Sequence, residues 1–363
     1  VEFFGRLGDE YEQIVICHDK VVGLRAIVAI HSTVLGPALG GTRFYPYRSD
    51  DQALEDVLRL ARGMTYKAAA AGLNLGGGKA VILGDPATDK TEGLLRAYGR
   101  FLDTLSGRYI TAEDVGTTQA DMDVIFSETP SVTGIAPALG GSGDPSAATA
   151  YGLWWAMKAV RRTLDGTDDL ADCRVVVSGV GKVGSRLVAH LVGDAARVAV
   201  ADVDPAAVSQ MVADHGVTPA PVDTAHQLEC DIFSPCALGG SLNRTTIPEL
   251  RCRAVAGCAN NQLLTPEDGG RLADRGILYA PDFVVNSGGV INIADELAGY
   301  EQARAYASVR GIYDTTLRVF AASVERGVTP DVVAEALADE RLAKAAAGWS
   351  GVHGFDGTAH RRR

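Results

Sequence analysis

The chain has 363 residues, enough for two domains, with 47% hydrophobic and 22% charged residues, the proportions of a globular protein. A net charge of −11 argues against binding nucleic acid or an anionic membrane through charge alone. No stretch reaches the roughly 18 apolar residues of a membrane helix, and the start at Val1-Glu2-Phe3-Phe4-Gly5 has no leader-like pattern, so a cytoplasmic enzyme is expected.

In chain order, residues 12–32 read as two strands joined by a turn at His18-Asp19-Lys20. A glycine-rich stretch, Gly36 to Arg43, reads as a loop. Ser49-Asp50-Asp51 starts a helix whose apolar face includes Ala53, Val57, Leu60, Ala61, Met64 and Ala68. Lys67 falls on the border of that apolar face, an unusual place for a lysine. Ala80–Leu83 and Tyr109–Ala112 read as strands, and 91–105 and 119–126 as helices. Such alternation predicts an α/β layered architecture.

The run from 130 to 146, rich in Pro, Gly and Ser, reads as a domain boundary. A helix over 147–164 follows, then short buried strands at 174–178, 197–201, 254–257 and 277–280. One long helix is expected from Glu301 to Arg326, and a loosely ordered tail from Trp349 onward.

Six cysteines show no CxxC spacing and read as small hydrophobes in a reducing compartment; the seven histidines show no ligand spacing, so no metal is expected. The strand at 174–178 leads into Gly179-Val180-Gly181-Lys182-Val183-Gly184 and then a helix. In that setting the first glycine makes a tight turn, the second admits a pyrophosphate, and the third packs helix on strand. Asp202, at the end of the next strand, with Asp204 close by, would accept an adenosine ribose 2′-hydroxyl and repel a 2′-phosphate, which favours NAD over NADP. The alternative is a purely structural turn with Asp202 as a cap.

Lys79 follows Gly76-Gly77-Gly78 and precedes a strand. A lysine held in a desolvated cleft becomes a general base near neutral pH, although an isolated lysine after a turn is more often a surface residue. Asp114 ends the strand from Tyr109, where active-site residues of α/β proteins sit, and where turn or cap aspartates are also common.

Taken together, the stretch Leu73–Pro86, the glycine loop, and the segments 36–43, 111–118, 148–152, 231–240, 256–263 and 280–296 resemble the glutamate/leucine/phenylalanine/valine dehydrogenase family, most of all its leucine and valine dehydrogenases. The resemblance implies two α/β domains around a cleft. A substrate-binding, oligomerisation domain would take residues 1–135 plus 330–363, and a doubly wound Rossmann NAD domain 145–325. It implies NAD-dependent oxidative deamination by a homo-oligomer. Lys79 and Asp114 would be catalytic, and Lys67 would hold the substrate carboxylate against the Gly40-Gly41 backbone. Asn261 would touch cofactor and substrate, Thr149 would bind the nicotinamide carboxamide, and Asn286 would help wall the site. Leu39, Ala112, Val290 and Ile293 match side-chain pocket positions. All four are apolar, which disfavours glutamate and tilts the expectation toward leucine, isoleucine or valine, with phenylalanine as the alternative. A catalytically dead NAD-binding regulator would lack Lys67, Lys79 or Asp114, and all three are present. A hydroxy-acid dehydrogenase would call for a histidine relay, and no histidine sits in a placeable motif.

Overall fold

The computed structural model describes residues 10–348, which form two compact units. Unit 1 comprises residues 10–144, Asn292–Ala305 and 338–348; unit 2 comprises Pro145–Ile291 and Tyr306–Leu337. Residues 292–305 thus fall in unit 1, whereas the sequence reading ran the second domain through to 325. The tail from Trp349 lies outside the described residues.

Unit 1 is built on a five-stranded sheet. The hairpin of β1 (Gln13–Asp19) and β2 (Leu24–Ser32) is antiparallel, and β2 pairs antiparallel with β4 (Gly76–Leu83). Between β2 and β4 in sequence come β3 (Ala38–Tyr45) and helix α1 (Asp50–Ala70), whose first turn is capped by the Ser49 hydroxyl. After β4 follow α2 (Glu92–Asp103), β5 (Tyr109–Glu113) and α3 (Gln119–Phe126). The strand order is β1-β2-β4-β3-β5, with β3 parallel to both β4 and β5.

The glycine-rich stretch expected as a loop is therefore a buried central strand. Its glycines let three backbones close up. A Cβ on Gly40 would lie 1.8 Å from the Gly78 carbonyl oxygen, and one on Gly41 would lie 2.6 Å from that of Glu113. β4 likewise starts at Gly76, ahead of the expected Ala80, so Lys79 is in mid-strand. Both sheet faces are covered. One packs Val28, Phe44, Ala80 and Ile82 with Leu94, Tyr98, Leu102, Met122 and Ile125 of α2 and α3. The other packs Ile27, Ala29 and Val81 against Ala53, Val57 and Ala61 of α1.

Unit 2 opens with α4 (Ser146–Asp165) and continues through β6 (Arg174–Ser178), α5 (Lys182–Gly193), β7 (Arg197–Ala201), α6 (Pro205–His215) and β8 (Thr218–Pro219). Its second half holds β9 (Ile232–Pro235), β10 (Ala254–Val255), α7 (Glu267–Asp274), β11 (Leu278–Tyr279) and α8 (Asp282–Val285). All six strands are parallel in the order β11-β10-β9-β6-β7-β8. This is a doubly wound sheet, and its order reverses between β6 and β9, the point where such sheets hold ligands.

The chain then runs through α9 (Gly288–Asp295), α10 (Gln302–Arg310), α11 (Ile312–Arg326) and α12 (Pro330–Ala347). The single long helix expected over Glu301–Arg326 is two helices broken at Gly311, whose N–H bonds back to the Ser308 carbonyl, a tightened final turn.

Within unit 1, Glu296 is fully buried and gathers the 134–142 loop. The backbone N–H groups of Gly134 and Ser142 donate to its two oxygens at 3.0 and 2.8 Å, and the Ser142 hydroxyl donates to the second. Burial outweighs these donors and pushes its pKa from 4.5 up to about 7. The folded state therefore binds this proton more tightly than the unfolded state. The resulting stabilisation is complete below pH 4.5 and is lost as pH rises toward about 7. Removing the carboxylate with Glu296→Gln should erase that slope. The stability difference between wild type and variant, from urea titrations at several pH values, should change across this window by about 3 kcal/mol. A pH-independent difference would contradict the assignment.

Candidate active site

Strand register decides which side chains of unit 1 meet. The pairs Leu39↔Gly77, Thr42↔Ala80 and Arg43↔Val81 between β3 and β4 put Leu39, Gly41, Arg43 and Lys79 on one face, and Gly41↔Ala112 adds Ala112 from β5. This is the face that α1 covers. Helix and strand touch closely at Gly77, where a Cβ would lie 2.0 Å from the Thr65 amide nitrogen. Lys67, two residues on, stands half-buried in the last turn of α1. Leu39 and Ala112 are buried.

At the centre, Lys79 Nζ lies 2.5 Å from Asp114 Oδ2, with the lysine only 7% exposed. Asp114 is the first residue beyond β5, and the loop behind it is fixed. Its N–H donates to the Thr117 hydroxyl (2.9 Å), which donates in turn to the Thr42 carbonyl (2.9 Å). Gly41 makes the room, since a Cβ there would sit 2.9 Å from the Asp114 Cβ. Tyr109 locks the other face by donating to the Gly40 carbonyl at 2.5 Å.

Sequence reasoning missed Arg43. Its Nε lies 3.4 Å from the same Asp114 oxygen, while its Nη1 donates to Asp56 Oδ2 at 2.8 Å. Asp56 also accepts from the Tyr47 hydroxyl (2.6 Å) and Arg59 (2.9 Å). The available signal was alternation: Arg43 lies two residues beyond Gly41 and so shares its face. Burial pushes the Asp114 carboxyl up, but Lys79 and Arg43 outweigh it and hold the group below the usual carboxylate range. Asp114 Oδ2 has no well-aligned hydrogen bond, so this buried acceptor is held mainly by charge and remains open to a donor.

Unit 2 presents a different kind of site. Gly179 takes φ +107°, and a Cβ on Gly184 would lie 2.0 Å from the Gly179 carbonyl oxygen. A Cβ on Gly181 would meet nothing within 4 Å, and no side chain caps α5, which starts at Lys182 and carries Val183 in its first turn. An open helix N-terminus behind bare backbone fits a pyrophosphate. Asp202 Oδ2 accepts the Val180 N–H at 2.7 Å, and its other oxygen accepts that of Asp204 at 2.9 Å. Asp204 instead spends its carboxylate capping α6 through the Ala206 N–H (2.9 Å).

Asn286 is buried, donates to the Cys258 carbonyl (3.2 Å) and to Asn260 Oδ1 (2.9 Å), and keeps an unpartnered Oδ1. Beside it, Asn261 is held at φ +53°, a left-handed conformation that L-residues adopt sparingly. The Thr149 hydroxyl would lie 2.6 Å from a Cβ on Gly289, so the start of α4 presses on the turn after α8. The orphaned, buried Asn286 acceptor suits the N–H of a carboxamide. Val290 and Ile293 are buried on α9.

The family model described as the Glu/Leu/Phe/Val dehydrogenase dimerisation domain matches residues 12–131. That described as glutamate/leucine/phenylalanine/valine dehydrogenase matches 140–211 and 204–309. The chain belongs to this family. It is an amino-acid dehydrogenase, an oxidoreductase using a nicotinamide cofactor. The chain is 53% identical to a leucine dehydrogenase of Geobacillus stearothermophilus over 333 residues, 92% of this chain and 91% of the relative. With a valine dehydrogenase of Streptomyces albus it shares 51% over 340 residues, 93% of each. The crystal structure of L-tryptophan dehydrogenase from Nostoc punctiforme superposes with a TM-score of 0.82 at 41% identity, covering 95% of this chain and 98% of that one.

Removing the Arg43 charge with Arg43→Met should raise the Asp114 pKa in the folded dehydrogenase, since one of the two cations that lower it is gone. Carboxyl titration by ¹³C NMR, assigned with Asp114→Asn, measures this. An unmoved pKa would show that Arg43 serves Asp56 alone.

Proposed function

We propose that this dehydrogenase catalyses the reversible, NAD-dependent oxidative deamination of a branched-chain L-amino acid to its 2-oxo acid, ammonia and NADH. The observation that carries the reading is the Lys79–Asp114 pair at 2.5 Å, on a sheet face it shares with the apolar side chains of Leu39 and Ala112. High identity to leucine and valine dehydrogenases supports the substrate class.

Lys67 anchors the substrate α-carboxylate by a charge-assisted contact, and the Gly40-Gly41 backbone lets the substrate lie close to the strand. Asp114, kept ionised by Lys79 and Arg43, accepts a hydrogen bond from the amino group and fixes its orientation. Once the amine has lost its ammonium proton to water, its lone pair expels the hydride from Cα, for which the nicotinamide, when bound, would supply the acceptor. Lys79 first passes its own proton to Asp114 along their short contact and then takes one from a water attacking the resulting imino carbon. The carbinolamine collapses as protons pass between Lys79 and Asp114 along their short contact, releasing ammonia and the 2-oxo acid.

Leu39 and Ala112 supply apolar walls, so a glutamate side chain would lose its hydrogen-bond partners on entering. Gly179, Val180, Gly181, Lys182, Val183 and Gly184 hold the pyrophosphate, while Thr149, Asn261 and Asn286 hold the carboxamide end. Each oxygen of Asp202 already accepts one N–H and keeps a lone pair for a ribose hydroxyl, and its charge opposes a 2′-phosphate. That favours NAD. The enzyme assembles as a homo-oligomer through unit 1, where the matched family model is a dimerisation domain and edge strand β1 leaves Ile16 69% exposed.

NAD reduction with leucine, valine, isoleucine, phenylalanine, tryptophan and glutamate in parallel tests the reading. Turnover should be strongest on one of the three aliphatic substrates. One missing methylene would be worth only about 10- to 200-fold in kcat/KM, and glutamate should be near background. Preference for an aromatic substrate would overturn the pocket assignment and leave the chemistry standing.

A further inference from the structure

Strand pairing in unit 2 sets two thiols side by side at the carboxyl ends of β9 and β10. The strands pair Ile232 with Ala254 and Phe233 with Val255. Beyond the ladder the Ala259 N–H donates to the Pro235 carbonyl at 3.0 Å, which keeps the two segments side by side as they reach Cys236 and Cys258. Cys258 Sγ lies 3.8 Å from the Cys236 carbonyl oxygen, and the N–H and thiol of Cys258 both donate to the Cys236 sulfur. The Ser234 hydroxyl lies 3.3 Å from the same sulfur.

The other four thiols differ. Cys17, Cys173, Cys230 and Cys252 are buried, and burial pushes each thiol pKa up. Cys236 and Cys258 are half-buried, and donation from Cys258 outweighs burial to make Cys236 more acidic than an ordinary thiol. The thiolate is the form that oxidants attack.

The pair also touches both ends of the dinucleotide crevice. The Cys236 N–H donates to the Ser178 carbonyl at 2.7 Å, and a Cβ on Gly179 would lie 2.8 Å from the Cys236 carbonyl carbon. A Cβ on Gly184 would sit 3.6 Å from that of Cys236. On the other side, the Cys258 carbonyl receives Asn286 Nδ2.

We propose that Cys236 and Cys258 form a thiol–disulfide switch, closed by hydroperoxides, that withdraws the dinucleotide site from its cofactor. The Cys236 thiolate attacks a peroxide oxygen: an S–O bond forms, the O–O bond breaks, hydroxide leaves, and the sulfur is oxidised by two electrons to a sulfenic acid. The Cys258 thiol then attacks that sulfur, forming S–S and breaking S–O, and its proton leaves with the hydroxyl as water. The net change is two thiols and one hydrogen peroxide to one disulfide and two waters. A bond of about 2.05 Å between the sulfurs draws Cys236 off Gly184 and turns the Cys258 carbonyl away from Asn286. A dithiol reverses the change.

The proposal rests on reading the crevice as the NAD site, and the test separates the two. The full chain is treated with hydrogen peroxide, with and without NADH, then alkylated for mass mapping, while NADH affinity is followed by fluorescence. Loss of two thiols as a Cys236–Cys258 link is expected, with NADH affinity falling about ten-fold or more. Dithiothreitol should restore both, and bound NADH should slow the reaction. Cys258→Ser should form no disulfide, and Cys236→Ser should neither form one nor lose NADH affinity on peroxide treatment. The switch is overturned if the link does not form, or if it forms with affinity within two-fold of the reduced chain, roughly the error of such titrations. A reduced chain that fails to bind NADH would sink the cofactor reading and the switch together, whereas failure of the peroxide step alone leaves the cofactor reading intact.

Discussion

A carboxylate and two cations sit on a buried sheet face, and much of unit 1 follows from that constraint. Charges taken out of water are tolerated only when paired with good geometry, because each loses several kcal/mol of hydration. Asp114 meets that condition through Lys79 at 2.5 Å and Arg43 at 3.4 Å, and Arg43 is neutralised on its far side by Asp56. Space for these groups comes from residues with no side chain. Gly41 lies beside Asp114, Gly77 admits the backbone of α1, Gly40 lets β3 and β4 approach, and Gly78 leaves room for the Tyr109 ring. A side chain at any of them would force apart the elements that keep the pair dry. The Asp114 carboxyl is held below its ordinary range by Lys79 and Arg43 despite its burial, so its neighbours set its proton affinity, as an acid–base site requires.

Unit 2 meets the opposite demand with the same residue. Here Gly181 borders open space while Gly179 and Gly184 press on one another to bring the first turn of α5 up to β6. Asp202 braces the loop through the Val180 N–H, which ties the end of β7 to the turn after β6. Cys236 follows β9, beside the point where the strand order reverses, and Cys258 follows the neighbouring β10.

Much of the element order was legible in the sequence because turn residues and apolar periodicity agree there, as with Ser49 before α1 and the strand at 174–178. β3 was not. Gly40 and Gly41 have low strand propensity, and only pairing on both sides, visible in three dimensions, makes a strand of them. The break at Gly311 escaped because one helical glycine leaves an apolar period intact. Spacing alone left Lys79 and Asp114 divided between catalysis and an ordinary surface or cap role, and the family resemblance singled them out. Their contact required the register. Alternation places Arg43 beside Gly41 only once Gly36–Arg43 is read as a strand, while Glu296 and the Cys236–Cys258 pair depend on contacts between distant segments, for which a single sequence carries no direct signal.

The central claim is that Lys79 performs proton transfer on that buried face. Its most direct test is kcat/KM for the amino acid across pH in Lys79→Met, which keeps the side-chain volume and leaves Arg43 to pair Asp114. With the fold retained by circular dichroism, the account predicts a loss of about 10²- to 10⁴-fold across the pH range. Activity within a few-fold of wild type would contradict it.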